Sequence, residues 1–162
     1  MIEIVQLTAE HCERMAREVR MGDRLEMAAM TGEPDTLEAR RETLLALHRR
    51  SRGYARAGIY DGALVNIWGV LTRTPISRVG NPWMVTTDAA LRPEVRRAMA
   101  HRCRAAFVET IPPYVAGLWN LVDERNTAAI AWLKWLKFEF EGEPIEHGGA
   151  RWLKFGMGEY VL

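Results

Sequence analysis

Val122-Asp123-Glu124-Arg125-Asn126-Thr127-Ala128-Ala129-Ile130-Ala131-Trp132-Leu133-Lys134-Trp135-Leu136-Lys137-Phe138 is the stretch on which the fold turns. It carries two changes of hydrophobic period. Residues 115–122, just upstream and into it, read as a strand. Over residues 126–136 the apolar positions recur at helical spacing, with Ala129, Ile130, Leu133 and Leu136 on one line. At 138–140 the pattern returns to strand, and residues 152–157 supply a closing partner across a loop containing Gly and Pro. Alternation of strand and helix belongs to an α/β or α+β domain. Trp132 and Trp135 lie three apart on the flank of the helical line, where they either pack against a sheet or offer an aromatic surface to a cofactor, peptide or subunit.

Upstream, Pro93 suits the first turn of a helix that buries Val95, Met99, Cys103, Ala106 and Phe107, and Pro112-Pro113 ends it. Residues 83–87 read as a strand entered from a Gly80-Asn81-Pro82 turn and left through a loop at 88–91. Strands over 54–60 and 63–71 flank Asp61-Gly62, a tight-hairpin signal. The N-terminal third reads as a short strand over 2–7 and three helices. Thr8 caps the first, whose buried line is Cys12, Met15, Ala16 and Val19; Gly22 interrupts it. The second runs over about 23–30 and stops at Thr31-Gly32-Glu33-Pro34. Asp35 and Glu38 form a capping-box pattern for the third, with Leu37, Leu44, Leu45 and His48 on one face. The predicted order is β-α-α-α-β-β-β-α-β-α-β-β, one domain over residues 1–162.

Composition limits the function. The chain has 162 residues, 48% of them hydrophobic and 27% charged, and 22 Lys+Arg against 21 Asp+Glu leave a net charge of +1. That balance argues against nucleic-acid binding through bulk charge. Cys12 and Cys103 have no Cys or His partner at ligand spacing, and His11, His48, His101 and His147 show no metal pattern, so no metal is expected and both thiols read as buried and reduced. No apolar run approaches the roughly 18 residues of a membrane span, and no signal-peptide pattern is seen, which reads as a soluble, cytoplasmic protein.

The quoted stretch resembles the last motif of the GNAT superfamily of acetyl-CoA-dependent N-acetyltransferases, in which a strand leads to an Asn that opens a helix carrying Ala and Ile, with a Gly-Phe pair beyond. Asn126, Ala129, Ile130 and Phe138 stand at matching positions, and the resemblance in organisation covers nearly the whole chain. Asp23-Arg24-Leu25-Glu26, Gly80-Asn81-Pro82-Trp83, Thr87-Asp88, Asn126 and Trp132-Leu133-Lys134-Trp135-Leu136 together look like a phage-encoded branch of GNAT-like proteins that includes internal virion proteins. The resemblance implies a mixed, mostly antiparallel central sheet flanked by helices, with one splayed strand pair. It implies acetyl-CoA in that gap, its pantetheine arm paired with free backbone groups of the fourth strand at Met84, Val85, Thr86 and Thr87. The pyrophosphate would sit at the N-terminus of the helix that begins near Pro93, where unpaired N–H groups attract anions, and Asn126 joins the cofactor residues. The acceptor would be a small-molecule or protein amine, taking the acetyl group directly in a ternary complex. Virion proteins or a second copy of the chain are further partners it admits, and a virion is an alternative location.

Three positions depart from the family pattern. Residues 88–93 contain none of the glycines of the family's pyrophosphate loop, and Pro93 removes a donor. Arg92, Arg96 and Arg97 either compensate by charge or form a solvated basic face with Arg102 and Arg104. Leu133 stands where many members carry the Tyr that protonates the leaving thiolate, and Lys137 replaces the Gly before Phe138. The rival reading is therefore a virion-associated or assembly protein that keeps the fold without catalysis. For the general base, Asp23 and Glu26 share a helix face, and the resemblance puts the first helices beside the acceptor. Glu26 is the first candidate and Asp23 the second, against a plain surface pair with Arg20 and Arg24. Asp88 and Asp123 are runners-up at strand ends, with helix capping as the alternative for Asp123.

Overall fold

The chain reverses at Asp61 and Gly62, whose φ angles of 48° and 75° are those of a tight hairpin turn. That turn joins β2 (Ala55–Tyr60) to β3 (Ala63–Thr72), the centre of a sheet completed by β1 (Ile2–Gln6), β4 (Val79–Thr86), β5 (Gly117–Asp123), β6 (Glu139–His147) and β7 (Ala150–Gly158). The structure is a computed structural model and describes residues 1–159. The seven strands lie in the order β1-β2-β3-β4-β5-β7-β6. Every adjacent pair is antiparallel except β4 and β5, which are parallel. The helices are α1 (Ala9–Glu18), α2 (Met21–Thr31), α3 (Leu37–Arg50), α4 (Pro93–Thr110) and α5 (Thr127–Trp135). Element order and mixed sheet are those predicted.

Each face of the sheet has its own core. On one, Cys12, Met15 and Ala16 of α1 and Leu44 of α3 pack on Ala55, Ala57, Leu64 and Ile67. On the other, Val95, Met99 and Cys103 of α4 meet Ile2 and Val65, and α5 joins a cluster of Trp68, Val70, Leu118, Phe138 and Phe155. The buried indole N–H of Trp68 donates to Thr110 Oγ1 at 3.1 Å, so the aromatic bulk lies in the core without an orphan donor. Cys12 and Cys103 are free and buried; burial pushes both thiols up to about 11. No described helix is long and apolar enough to cross a membrane.

Three local readings change. Gly80-Asn81-Pro82 is not a turn but the start of β4. Proline is tolerated in this inner strand because its nitrogen faces away from β3, at a point where β5 has already departed. Thr36, not Asp35, caps α3, accepting from Ala39 N; Asp35 instead bridges Arg24 and Arg40. Of the loop expected before β7, Gly148 and Gly149 form the turn, but Gly142 and Pro144 lie inside β6, where the register shifts between Glu141 and Ile145, as a bulge permits.

Lys137 occupies a position that glycine normally takes. It follows α5 with φ 75°, while Phe138 N–H reaches back to Leu133 C=O at 3.0 Å to close the helix. The left-handed conformation costs a non-glycine residue about 1–2 kcal/mol, part of which glycine returns in chain entropy. Lys137→Gly should therefore stabilise the protein by about 0.5–1 kcal/mol and raise its Tm by roughly 1–4 °C. A lower Tm in calorimetry would show that the lysine side chain holds this corner.

Candidate active site

The β4–β5 ladder has only two register pairs, Val79 with Gly117 and Gly80 with Leu118, and beyond them the strands part. Hydrogen bonding on the other side of β4 sets what faces the gap. Thr87 N–H donates to Val65 C=O at 2.9 Å, and in an antiparallel pair such residues alternate. Val85, Trp83 and Asn81 thus turn their main-chain groups to β3, while Thr86, Met84, Pro82 and Gly80 turn theirs toward β5. Near the apex, two side chains stitch the gap: Asn81 Nδ2 donates to Trp119 C=O and Asn120 Nδ2 to Pro82 C=O, both at 2.8 Å.

At the wide end, α2 lies across the opening. The segment entering it adds to the β4 edge: Val19 bridges Thr87, and Arg20 N–H donates to Thr86 C=O at 3.0 Å. Asp23 Oδ2 accepts both the Thr86 N–H and its hydroxyl, each at 2.8 Å. The Arg20 guanidinium reaches Thr86 Oγ1 at 2.6 Å, Asp23 Oδ1 at 2.6 Å and Asn126 Oδ1 at 2.7 Å. Asn126, the N-cap of α5, gives its Nδ2 to Asp23 Oδ1 at 3.0 Å and Glu26 Oε2 at 2.6 Å. Thr86, Asp23, Asn126 and Asp123 are buried, and Glu26 is half-buried. The two carboxylates of α2 thus span the fork, Asp23 held to the end of β4 and Glu26 tied through Asn126 to the end of β5.

Glu26 titrates near neutrality. Burial raises its pKa to about 7; the hydrogen bond from Asn126 opposes the rise, and the charges of Asp23 and Asp123 add to it. Asp123 is held below its ordinary value, chiefly by the hydrogen bond from Arg125. It accepts the Arg125 N–H at 2.9 Å rather than capping α5. Asp88 is exposed at the start of a 3-10 turn, Asp88–Leu91.

Arg92, Arg96 and Arg97 are exposed around the N-terminus of α4. Arg92 is the N-cap and offers no side-chain acceptor, Pro93 follows it, and Arg92 lies 3.8 Å from Glu94. This helix end can receive an anion without displacing a cap. Leu133 packs in the α5 core, and Trp132 stacks on Trp135 with ring centroids 4.6 Å apart. Tyr54 and Tyr114 meet edge to face. Among the described residues no group of three or more His, Cys, Asp and Glu is arranged to hold a metal.

Arg20, Asn81, Asn120 and the Thr86 side chain were missed as members of this site by sequence reasoning. One signal was present: Gly22 stands two positions after Arg20, and a Cβ there would lie 2.8 Å from Arg20 Nη1 and 3.4 Å from Asn126 Oδ1. The glycine leaves room for the guanidinium.

No family model and no curated protein matches the sequence. Solved structures do. An N-acetyltransferase from Staphylococcus aureus Mu50 superposes with a TM-score of 0.66 at 12% identity, over 98% of this chain and 98% of that one. The ribosomal alpha-N-protein acetyltransferase RimL, solved with coenzyme A, gives 0.67 at 11% identity over 97% and 93%. The aminoglycoside acetyltransferase AAC(6')-Ib, solved with ribostamycin and coenzyme A, gives 0.67 at 11% identity over 97% and 93%. Identity at this level carries the fold and nothing finer, and by its sheet order, its forked β4–β5 pair and these superpositions this chain has the GNAT acetyltransferase fold.

Proposed function

We propose that this chain is an acetyl-CoA-dependent N-acetyltransferase in which Glu26 is the general base for the acceptor amine and Asp23 braces the end of β4 beside it. The observation that carries the reading is Glu26 itself, a half-buried carboxyl with a pKa of about 7 at the open end of the fork. A base poised near the working pH is the requirement for taking a proton from an ammonium and leaving the nitrogen lone pair free.

The residues present fit the cofactor in part. At the phosphate end, the N-terminus of α4 and Arg92, Arg96 and Arg97 would hold the pyrophosphate. Along the strand, Met84 is the position whose outward main-chain groups lie past the β5 ladder and the asparagine stitches. Val85 and Thr87 turn their main-chain groups toward β3, Val85 packing in the core beneath α1 and α3 and the Thr87 hydroxyl donating to Leu64 C=O. Acetyl-CoA, when bound, would supply an activated acetyl thioester. The chain's own part is to orient the amine before it, accept the amine's proton on Glu26, and exclude water with α2.

A second reading, a protein that keeps this fold as a virion or assembly component, draws on the other side of the same geometry. Thr86 already spends its N–H on Asp23 and its C=O on Arg20, Pro82 has no N–H, and Leu133 has no proton to give.

Thermal shift separates the two. Under the enzyme reading, millimolar acetyl-CoA or CoA raises the Tm, since ligand binding to the native state stabilises it. Arg96→Ala combined with Arg97→Ala shrinks that shift. No shift with either ligand would eliminate the enzyme reading.

The base makes its own prediction. Glu26→Gln should keep the CoA-induced shift and lower the acetylation rate about 100-fold or more, whereas unchanged turnover would remove Glu26 from the chemistry.

Stability carries the same signature. The folded pKa of Glu26 lies above the ordinary carboxylate value of 4.5, so its stabilising contribution is complete below 4.5 and is lost as pH rises through about 7. His11, pushed down by burial, runs the opposite way in part of that window. The difference between wild type and Glu26→Gln isolates the Glu26 contribution: Glu26→Gln should gain relative Tm between pH 4.5 and about pH 7 and level off above it, and a flat difference would contradict the raised pKa.

A further inference from the structure

The orientation of the Asn126 amide is dictated by its neighbours. A guanidinium carries donors only, so the Asn126 atom 2.7 Å from Arg20 Nη2 must be the carbonyl oxygen. The N–H of Ala129 points at the same oxygen, 3.4 Å away. The NH2 group is thereby turned to the carboxylates, with Asp23 Oδ1 at 3.0 Å and Glu26 Oε2 at 2.6 Å. Arg20 is itself fixed by Thr86 Oγ1 and Asp23 Oδ1. The chain of fixed donors runs from the end of β4, through Arg20 and Asn126, to one oxygen of Glu26.

We infer that Asn126 is a positioning residue for Glu26: its amide, locked by Arg20, binds Oε2 and so presents Oε1 toward the fork as the oxygen that takes the proton from the acceptor amine. This role rests on the proposed acetyl transfer. It differs from the cofactor contact that the family resemblance implies for Asn126, because the partner is a carboxylate of α2. A fixed donor at Oε2 favours the ionised carboxylate that must receive the proton, opposing the burial that disfavours it. The groups facing Glu26 are the Asn126 amide, the Asp123 main-chain N–H and the charges of Asp23 and Asp123, so removing the amide leaves only that main-chain N–H against the two negative charges.

The variants are chosen around the second task of Asn126, capping α5. Asn126→Ser keeps a capping oxygen but has no NH2 to reach Glu26; Asn126→Asp keeps both shape and cap and replaces the donor with an acceptor. Carbon-detected NMR of the glutamate carboxyls in the full-length protein, from about pH 4 to about pH 9, reads the Glu26 midpoint directly. The kcat/KM profile for acetyl transfer from acetyl-CoA to benzylamine reads it through turnover. Asn126→Ser should raise the midpoint by about one pH unit, Asn126→Asp by more, and the rising limb of the rate profile should move with them. Arg20→Lys, which loses the fork that locks the amide, should move it in the same direction by less. A Glu26 midpoint that stays put in folded Asn126→Ser and Asn126→Asp overturns the inference. Midpoints that move while the wild type acetylates nothing would uphold the Asn126–Glu26 coupling and defeat the catalytic reading instead.

Discussion

A strand in a sheet has two edges of main-chain groups, and each group must find a partner. This is the constraint that organises the molecule. β3 takes every second residue of β4, which leaves Gly80, Pro82, Met84 and Thr86 facing the other way. β5 satisfies the first and then departs. Two of the further positions have a local answer: Pro82 has no donor to satisfy and Asn120 supplies one to its carbonyl, and Thr86 is met by Asp23 and by the main chain of Arg20; Met84 between them faces the gap. The placement of α2 follows from this. The segment entering it docks as a short extension of the sheet and Asp23 in its first turn holds the end of β4, which brings Glu26 three residues later to the opposite arm of the fork.

Spacing alone made Asp23 and Glu26 alike, two acidic residues on one helix face. Tertiary surroundings separate them. Asp23 is buried against a guanidinium, a main-chain N–H and a hydroxyl. Glu26 has one amide, a main-chain N–H and two negative neighbours, the setting of a carboxyl that exchanges its proton near neutral pH. Two carboxyls with diverging environments are what the proposed acetyl transfer calls for, one to brace the strand and the other to take the proton.

Much of the fold was legible because it rests on local rules. The Asp61-Gly62 turn, the cap at Thr8 and the apolar line of α4 each depend on residues close in sequence, and each formed as read. Gly80-Asn81-Pro82 was misread because its turn chemistry is genuine; only the departure of β5, many residues later, makes it acceptable as strand. The site was half legible for the same reason. Glu26, Asp23 and Asn126 were picked out by charge, spacing and resemblance, but Arg20 connects to Thr86 and Asn126 across 66 and 106 positions, and nothing local beyond the nearby Gly22 marks such a partner. Asn81 reads locally as a turn residue, and its role with Asn120 exists only because the strands they join diverge.

The bulge in β6 bears on how the sheet ends. β6 is an outermost strand, and an outermost strand is a template on which another chain can add. Here Glu139, Glu141, Glu143 and Glu146 run along it, Pro144 withholds a donor, and the shifted register breaks its regularity. A second copy laid antiparallel along β6 would bring glutamate against glutamate. The glutamates and the broken register make this edge a poor template for self-pairing.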